Sequence, residues 1–111
     1  MTNIALFVIA LVFAGASFVK LASMQMSLDN FERWQLPDSA RYSIGVIEAG
    51  MVVFAVLALL NHVPALYVAI VSLVIMAGAL ATHIRARDEA KEYVPFVLVT
   101  VAAIYIVATS L

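Results

Sequence analysis

The chain has 111 residues, 66% of them hydrophobic and 12% charged, with no cysteine and a formal net charge of −1. Soluble domains average roughly 45–50% apolar and about 25% charged residues, so the solvent of this chain is a lipid bilayer. The missing cysteines exclude disulfides, thiolate metal sites and Cys-ligated clusters, and the acidic balance excludes the basic surface that a nucleic-acid partner needs.

The first apolar segment is expected over residues 4–22. No basic stretch precedes it, so the Ala14-Gly15-Ala16 run reads as part of a retained span and not as a cleavage site. Lys20 lies near its end, with Ser17 one turn earlier on the same face and Ser27 two turns later if the helix continues. A longer polar stretch follows, in which Phe31, Trp34 and Pro37 recur at every third position. Those residues, with Arg41, read as an interfacial segment with its aromatics at headgroup level, or as a lid over a space between the helices.

The second span is expected over 43–60, and Pro37 followed by Asp38 or Ser39 suits the start of its helix. Glu48 sits within this apolar run, where an unpaired carboxylate costs a few kcal/mol. It needs a partner, a proton or water, and Lys20 is the obvious partner. Only Asn61, His62, Val63 and Pro64 separate this span from the third, over 65–84, so the two form a tight hairpin. Thr82 and His83 end the third span, a short charged connection follows, and the fourth span is expected over 94–111 with Pro95 in its first turn. Each segment is near the ~20 residues that cross ~30 Å of hydrocarbon as a helix. The predicted fold is a single all-α domain, a four-transmembrane-helix bundle with antiparallel up-down topology.

All six basic residues fall at or between spans one and two or spans three and four, and none falls in the Asn61–Pro64 turn. The positive-inside rule then places the charged loops in the cytoplasm and both termini outside. Antiparallel packing brings Lys20, Glu48, Thr82 and His83 to one depth, where they could converge on one pocket. The Lys20–Glu48 pair reads equally as a structural ion pair or as a functional site, and Lys20 alone could extend to the headgroups. His62 and His83 fall on opposite membrane faces, so no two-His haem or metal site is expected within one chain. No metal site, Gly-rich phosphate loop or serine-nucleophile motif is evident.

Several of these residues form an ordered set. Lys20-Leu21 ends the first span, Phe31-x-x-Trp34-x-x-Pro37 fills the loop, Ile44-Gly45-Val46-Ile47-Glu48 opens the second span, and Gly78-Ala79-x-x-Thr82-His83 ends the third. This order and spacing resembles the DoxX-like family of small bacterial integral membrane proteins, over nearly the whole chain. The resemblance implies a four-helix bundle in the bacterial inner membrane. It also implies relatives associated with a thiosulfate:quinone oxidoreductase and with membrane oxidoreductase assemblies that deal with oxidative stress and sulfur. The absence of cysteine argues against thiol-based sulfur chemistry by this chain alone.

Three functions are open at this point. The chain could be an accessory subunit that holds a lipophilic molecule such as a quinone, with Lys20, Glu48, Thr82 and His83 at its polar end and catalysis supplied by a membrane partner. It could be a small membrane enzyme using Glu48 as general acid/base on a lipophilic substrate. It could be a structural or assembly protein packed into a larger complex, with a membrane protein partner or as a homo-oligomer, in which the ion pair only sets helix register.

Overall fold

The structure, a computed structural model, describes residues 1–110; the predicted end of the fourth span, Leu111, lies outside them. Five α-helices follow one another: α1 (Thr2–Leu21), α2 (Gln25–Arg33), α3 (Asp38–Leu59), α4 (Ala65–Ala86) and α5 (Val94–Ser110), with a 3-10 turn at Ala90–Tyr93 before α5. Helices α1, α3, α4 and α5 are each long and apolar enough to cross a membrane. The molecule is 39 Å along its longest axis, more than the ~30 Å of a hydrocarbon core.

Two boundaries differ from those expected. Helix α3 begins at Asp38, where Pro37 and Asp38 suited a helix start, and so precedes the span expected from residue 43, because hydropathy marks only the lipid-crossing part of the helix. The stretch after α1, expected as an irregular polar segment, holds the amphipathic helix α2. The chain stops between them: Ser23 adopts a left-handed φ of 55°, so α1 does not continue into Ser27.

The buried faces recur at three- and four-residue spacing, as helical periodicity requires. Leu6, Ile9, Ala10 and Phe13 of α1 meet Met51, Ala55 and Ala58 of α3, with Val68, Ala69 and Met76 of α4 and Val99, Ala103 and Ile106 of α5 completing the core. Helix α1 packs along both α3 and α5, and α4 packs along α5; α3 and α4, although joined by the shortest connection between two of the long helices, share far less contact. Large apolar side chains such as Phe7, Leu11, Phe18, Val53 and Val74 face outward, half or more exposed. In water such a surface would aggregate, whereas lipid tails cover it without penalty.

All four helices that end within the described chain close in the same way. Ser23, Gln35, Asn61 and Arg87 each take a left-handed φ, and each turn makes a paired set of hydrogen bonds, such as Ser23 N–H to Lys20 C=O and Met24 N–H to Val19 C=O. This is the Schellman closure, which satisfies carbonyls at the helix end. Glycine usually occupies the left-handed position; here all four glycines lie inside helices instead. Three of these turns, at Ser23, Gln35 and Arg87, sharply redirect the chain at the end that carries the charged loops, and they position the polar groups described next.

Candidate functional site

Gly45 brings α1 and α3 together. A Cβ built there would lie 2.9 Å from Leu21 Cδ2 and 3.2 Å from Lys20 Cβ, so only glycine fits without a shift. Glu48 is one turn further along the same face of α3. Its Oε1 lies 2.8 Å from Lys20 Nζ, with side-chain exposures of 9% and 14%. The contact is a charge pair whose geometry falls short of a hydrogen bond, so buried Oε1 accepts none. Lys20 does not extend away from its helix; Nζ folds back to the Ala16 carbonyl at 3.4 Å. The Gly-x-x-Glu spacing therefore has a physical reason: the glycine sets the helix approach that the ion pair requires.

Arg41 is a buried core residue, 2% exposed, and not part of an interfacial lid. Helical spacing puts it on the α1-facing side of α3, two turns before Glu48. Its guanidinium donates to the Lys20 carbonyl and, at 2.9 Å, to Ser23 Oγ. It lies 4.2 Å from the Tyr42 ring centroid and 3.6 Å from Asp38. A cation placed on the last carbonyls of α1 satisfies both their acceptors and the negative end of the helix dipole. The Tyr42 hydroxyl and Ser23 Oγ are 3.1 Å apart, which ties the α1 turn to α3 again.

Along this α1–α3 seam runs an apolar groove of about 570 Å³, open outward and lined by Ala14, Ser17, Phe18, Leu21 and Ala22 of α1 and Ala49 and Val52 of α3. The lining residues flank Lys20 and Glu48 in sequence. A smaller hollow of about 340 Å³ lies at the opposite end, among Thr2, Asn3, Asn61 and His62.

Thr82 and His83 do not join Lys20 and Glu48. Thr82 donates to the Gly78 carbonyl of its own helix at 3.1 Å. His83 belongs to a second cluster, centred on a residue that sequence reasoning missed, Asp88. The left-handed turn at Arg87 brings the chain back so that the Asp88 N–H reaches the His83 carbonyl and its Oδ2 reaches His83 Nδ1 at 2.6 Å. The Asp88 carboxylate also accepts from Arg33 Nε at 2.8 Å and Trp34 Nε1 at 2.9 Å, and its side chain is fully buried. Burial pushes its pKa up, but the hydrogen bonds from Arg33, His83 and Trp34 outweigh that and hold it at about 2. Hydrogen bonding to Asp88 in turn raises the Arg33 guanidinium above its usual value. An ionised carboxylate only accepts, so Nδ1 of His83 is the donor in this contact.

Around this carboxylate the rings of Phe31, Trp34, His83, Tyr93 and Phe96 form a chain with successive centroid distances of 4.9, 5.6, 5.0 and 6.4 Å. Phe31 is 3% exposed, packed edge-on against Trp34 and not at the membrane surface. Pro37 stands apart, exposed at the start of α3. No periodicity pairs residues 83 and 88 on a helix, so only the turn at Arg87, or the sight of an acidic residue just past a helix end, could have signalled Asp88.

Four long apolar helices around one hydrophobic core, with a largely buried ion pair between α1 and α3, define a polytopic helical membrane protein. The profile of the DoxX-like family matches residues 4–105, and the chain belongs to that family. No curated protein and no solved structure matched the chain.

Proposed function

We propose that the chain binds a lipophilic molecule with a hydrogen-bonding head, of quinone type, along the α1–α3 groove, and serves a membrane oxidoreductase assembly as its ligand-holding accessory subunit. The observation that carries this reading is the Lys20–Glu48 ion pair, 2.8 Å apart, whose chain neighbours Leu21 and Ala49 line an outward-opening apolar groove of about 570 Å³. Such sites are mostly apolar with a few placed polar groups, and their volumes run ~300–1,000 Å³. Lys20 can donate to a carbonyl oxygen of the head and Glu48 can accept from a hydroxyl. A general acid/base role for Glu48 would be the enzymatic form of the same site; full turnover of an identified substrate by Glu48→Gln excludes it. The reading includes an inner-membrane location with the charged loops cytoplasmic and both termini outside.

Native mass spectrometry after gentle detergent extraction tests it, with wild type beside Glu48→Gln and Lys20→Met. A discrete small molecule retained by wild type and lost from both variants is the expected result. The absence of any bound molecule from wild type would overturn it. That outcome would favour a second reading, supported by the close fit at Gly45, in which the ion pair fixes the register of α1 against α3.

A further inference from the structure

We infer that α2 is a hinged strap, latched by Asp88, whose opening exposes the buried polar residues at the charged end of the bundle to water. It does not depend on what the groove binds.

Helix α2 is bounded by two left-handed non-glycine residues, Ser23 with φ 55° and Gln35 with φ 59°. A short helix between two sharp turns moves as one piece, because the turns absorb the backbone change. It is anchored weakly by packing: only Ser27 and Phe31 are buried along it, while Met26 is 59% exposed. Few buried apolar contacts mark the segments that open locally before a protein unfolds.

The polar anchorage is concentrated at one place. Among the described residues, every side-chain hydrogen bond between residues 25–35 and another element involves the last turn of α4 or the α4–α5 connection that follows it. Arg33 and Trp34 donate to Asp88, and Arg85 donates to the Trp34 carbonyl at 3.1 Å. Charge-assisted bonds to a buried carboxylate are the strong ones. Two closing turns therefore face each other, that of α2 at Gln35 and that of α4 at Arg87, with Asp88 as the bolt between them.

The other hinge leads to the ion pair. Ser23 Oγ accepts from Arg41, and Arg41 also holds the Lys20 carbonyl. Rotation of α2 about Ser23 displaces an oxygen that positions Arg41, and Arg41 fixes the backbone of the residue paired with Glu48. The strap thus connects the two polar clusters mechanically, although they share no bond among the described residues.

The chain has no cysteine, so an introduced thiol is a clean reporter. Ser27 is 2% exposed, its Oγ has no hydrogen-bond partner, and Ser27→Cys changes little in size. The experiment measures the reaction rate of Ser27→Cys with a water-soluble maleimide in the detergent-solubilised full chain, with and without Asp88→Asn or Arg33→Gln. Exposed Ser39→Cys normalises reagent access, and Ser72→Cys, fully buried in α4, reports global unfolding. Asp88→Asn is expected to speed labelling at position 27 by about tenfold or more, the factor equivalent to ~1.4 kcal/mol of lost closure, with a smaller rise for Arg33→Gln and no change at position 72. Unchanged labelling at position 27 in both variants overturns the latch, and so does an equal acceleration at positions 27 and 72. If Asp88→Asn does not fold, Arg33→Gln decides alone: a rise confined to position 27 supports the latch and an unchanged rate overturns it.

Discussion

Gly45 and Glu48 act as a pair on α3, the one clearing space and the other using it. Nearest to the missing Cβ are the flexible end of Leu21 and the Cβ of Lys20, and the second of these cannot swing away without moving α1. Gly45→Ala should therefore destabilise slightly, and Gly45→Leu by about 1–3 kcal/mol, the usual cost of overpacking. Thermal unfolding in detergent measures it. A melting temperature unchanged by Gly45→Leu would show that α1 and α3 have slack at this point. At Asp88 the sign of the pH effect can be worked out. Its folded pKa of about 2 lies below the ordinary 3.8, so its contribution is complete above 3.8 and is lost as pH falls through about 2. The melting-temperature gap between wild type and Asp88→Asn should be flat above pH ~4 and close as pH falls toward 2. A gap that persists at the lowest pH would mean that the carboxylate's charge is not what the clamp uses. The ion pair was legible in the sequence because two charges within apolar runs stand out whatever the packing. Asp88 was not, because its tie to His83 comes from a turn and not from helical spacing. Depth is readable from hydropathy, but direction around the helix axis is not. Thr82 accordingly turns to Gly78, and His83 reaches Asp88 and the ring of Trp34.

The four long helices were readable as elements because each carries a long, predominantly apolar run, and the bilayer leaves such a run no other structure. Helix α2 was not readable in that way. It is polar on average, with only Ser27 and Phe31 buried at i, i+4, a pattern too short to stand out from a loop. Its ends depend on the same closure as the longer helices, and that closure uses residues poorly suited to it. A left-handed backbone costs a side-chain-bearing residue about 1–2 kcal/mol that glycine does not pay. Arg87 holds φ 54° at the end of α4 and is exposed, with no ion pair among the described residues. Arg87→Gly should therefore raise stability, by about 0.5–1 kcal/mol once the greater freedom of glycine in the unfolded chain is subtracted. The same melt checks it. A loss of stability would show that the Arg87 side chain makes a contribution at the membrane surface larger than its backbone strain, for example with lipid phosphate.

At the scale of the whole molecule the bundle is asymmetric along its long axis. Both polar clusters and every Lys and Arg lie at one end, while the other end holds the Met1 terminus, the end of α5 and the Asn61–Pro64 turn without a single basic residue. The asymmetry follows from packing as well as from charge. Helix α1 packs along both α3 and α5, and α2, between α1 and α3, reaches over the bundle end to Asp88 through Arg33 and Trp34. The connection from α4 to α5 ends at the same side, which is why Asp88 and Trp34 can meet. Moving Lys and Arg across a membrane is unfavourable, and both charged connections are short enough for the bias to act. The charged end should therefore be cytoplasmic. Fused to the C-terminus, alkaline phosphatase should be active and green fluorescent protein dark; fused after residue 88, each should show the opposite. Because both charged connections share one end, four spans leave no mixed outcome that preserves this fold: fluorescence at the C-terminus would invert the whole molecule. The Asp88 clamp would then face the non-cytoplasmic side, and the charge asymmetry would need a source other than insertion.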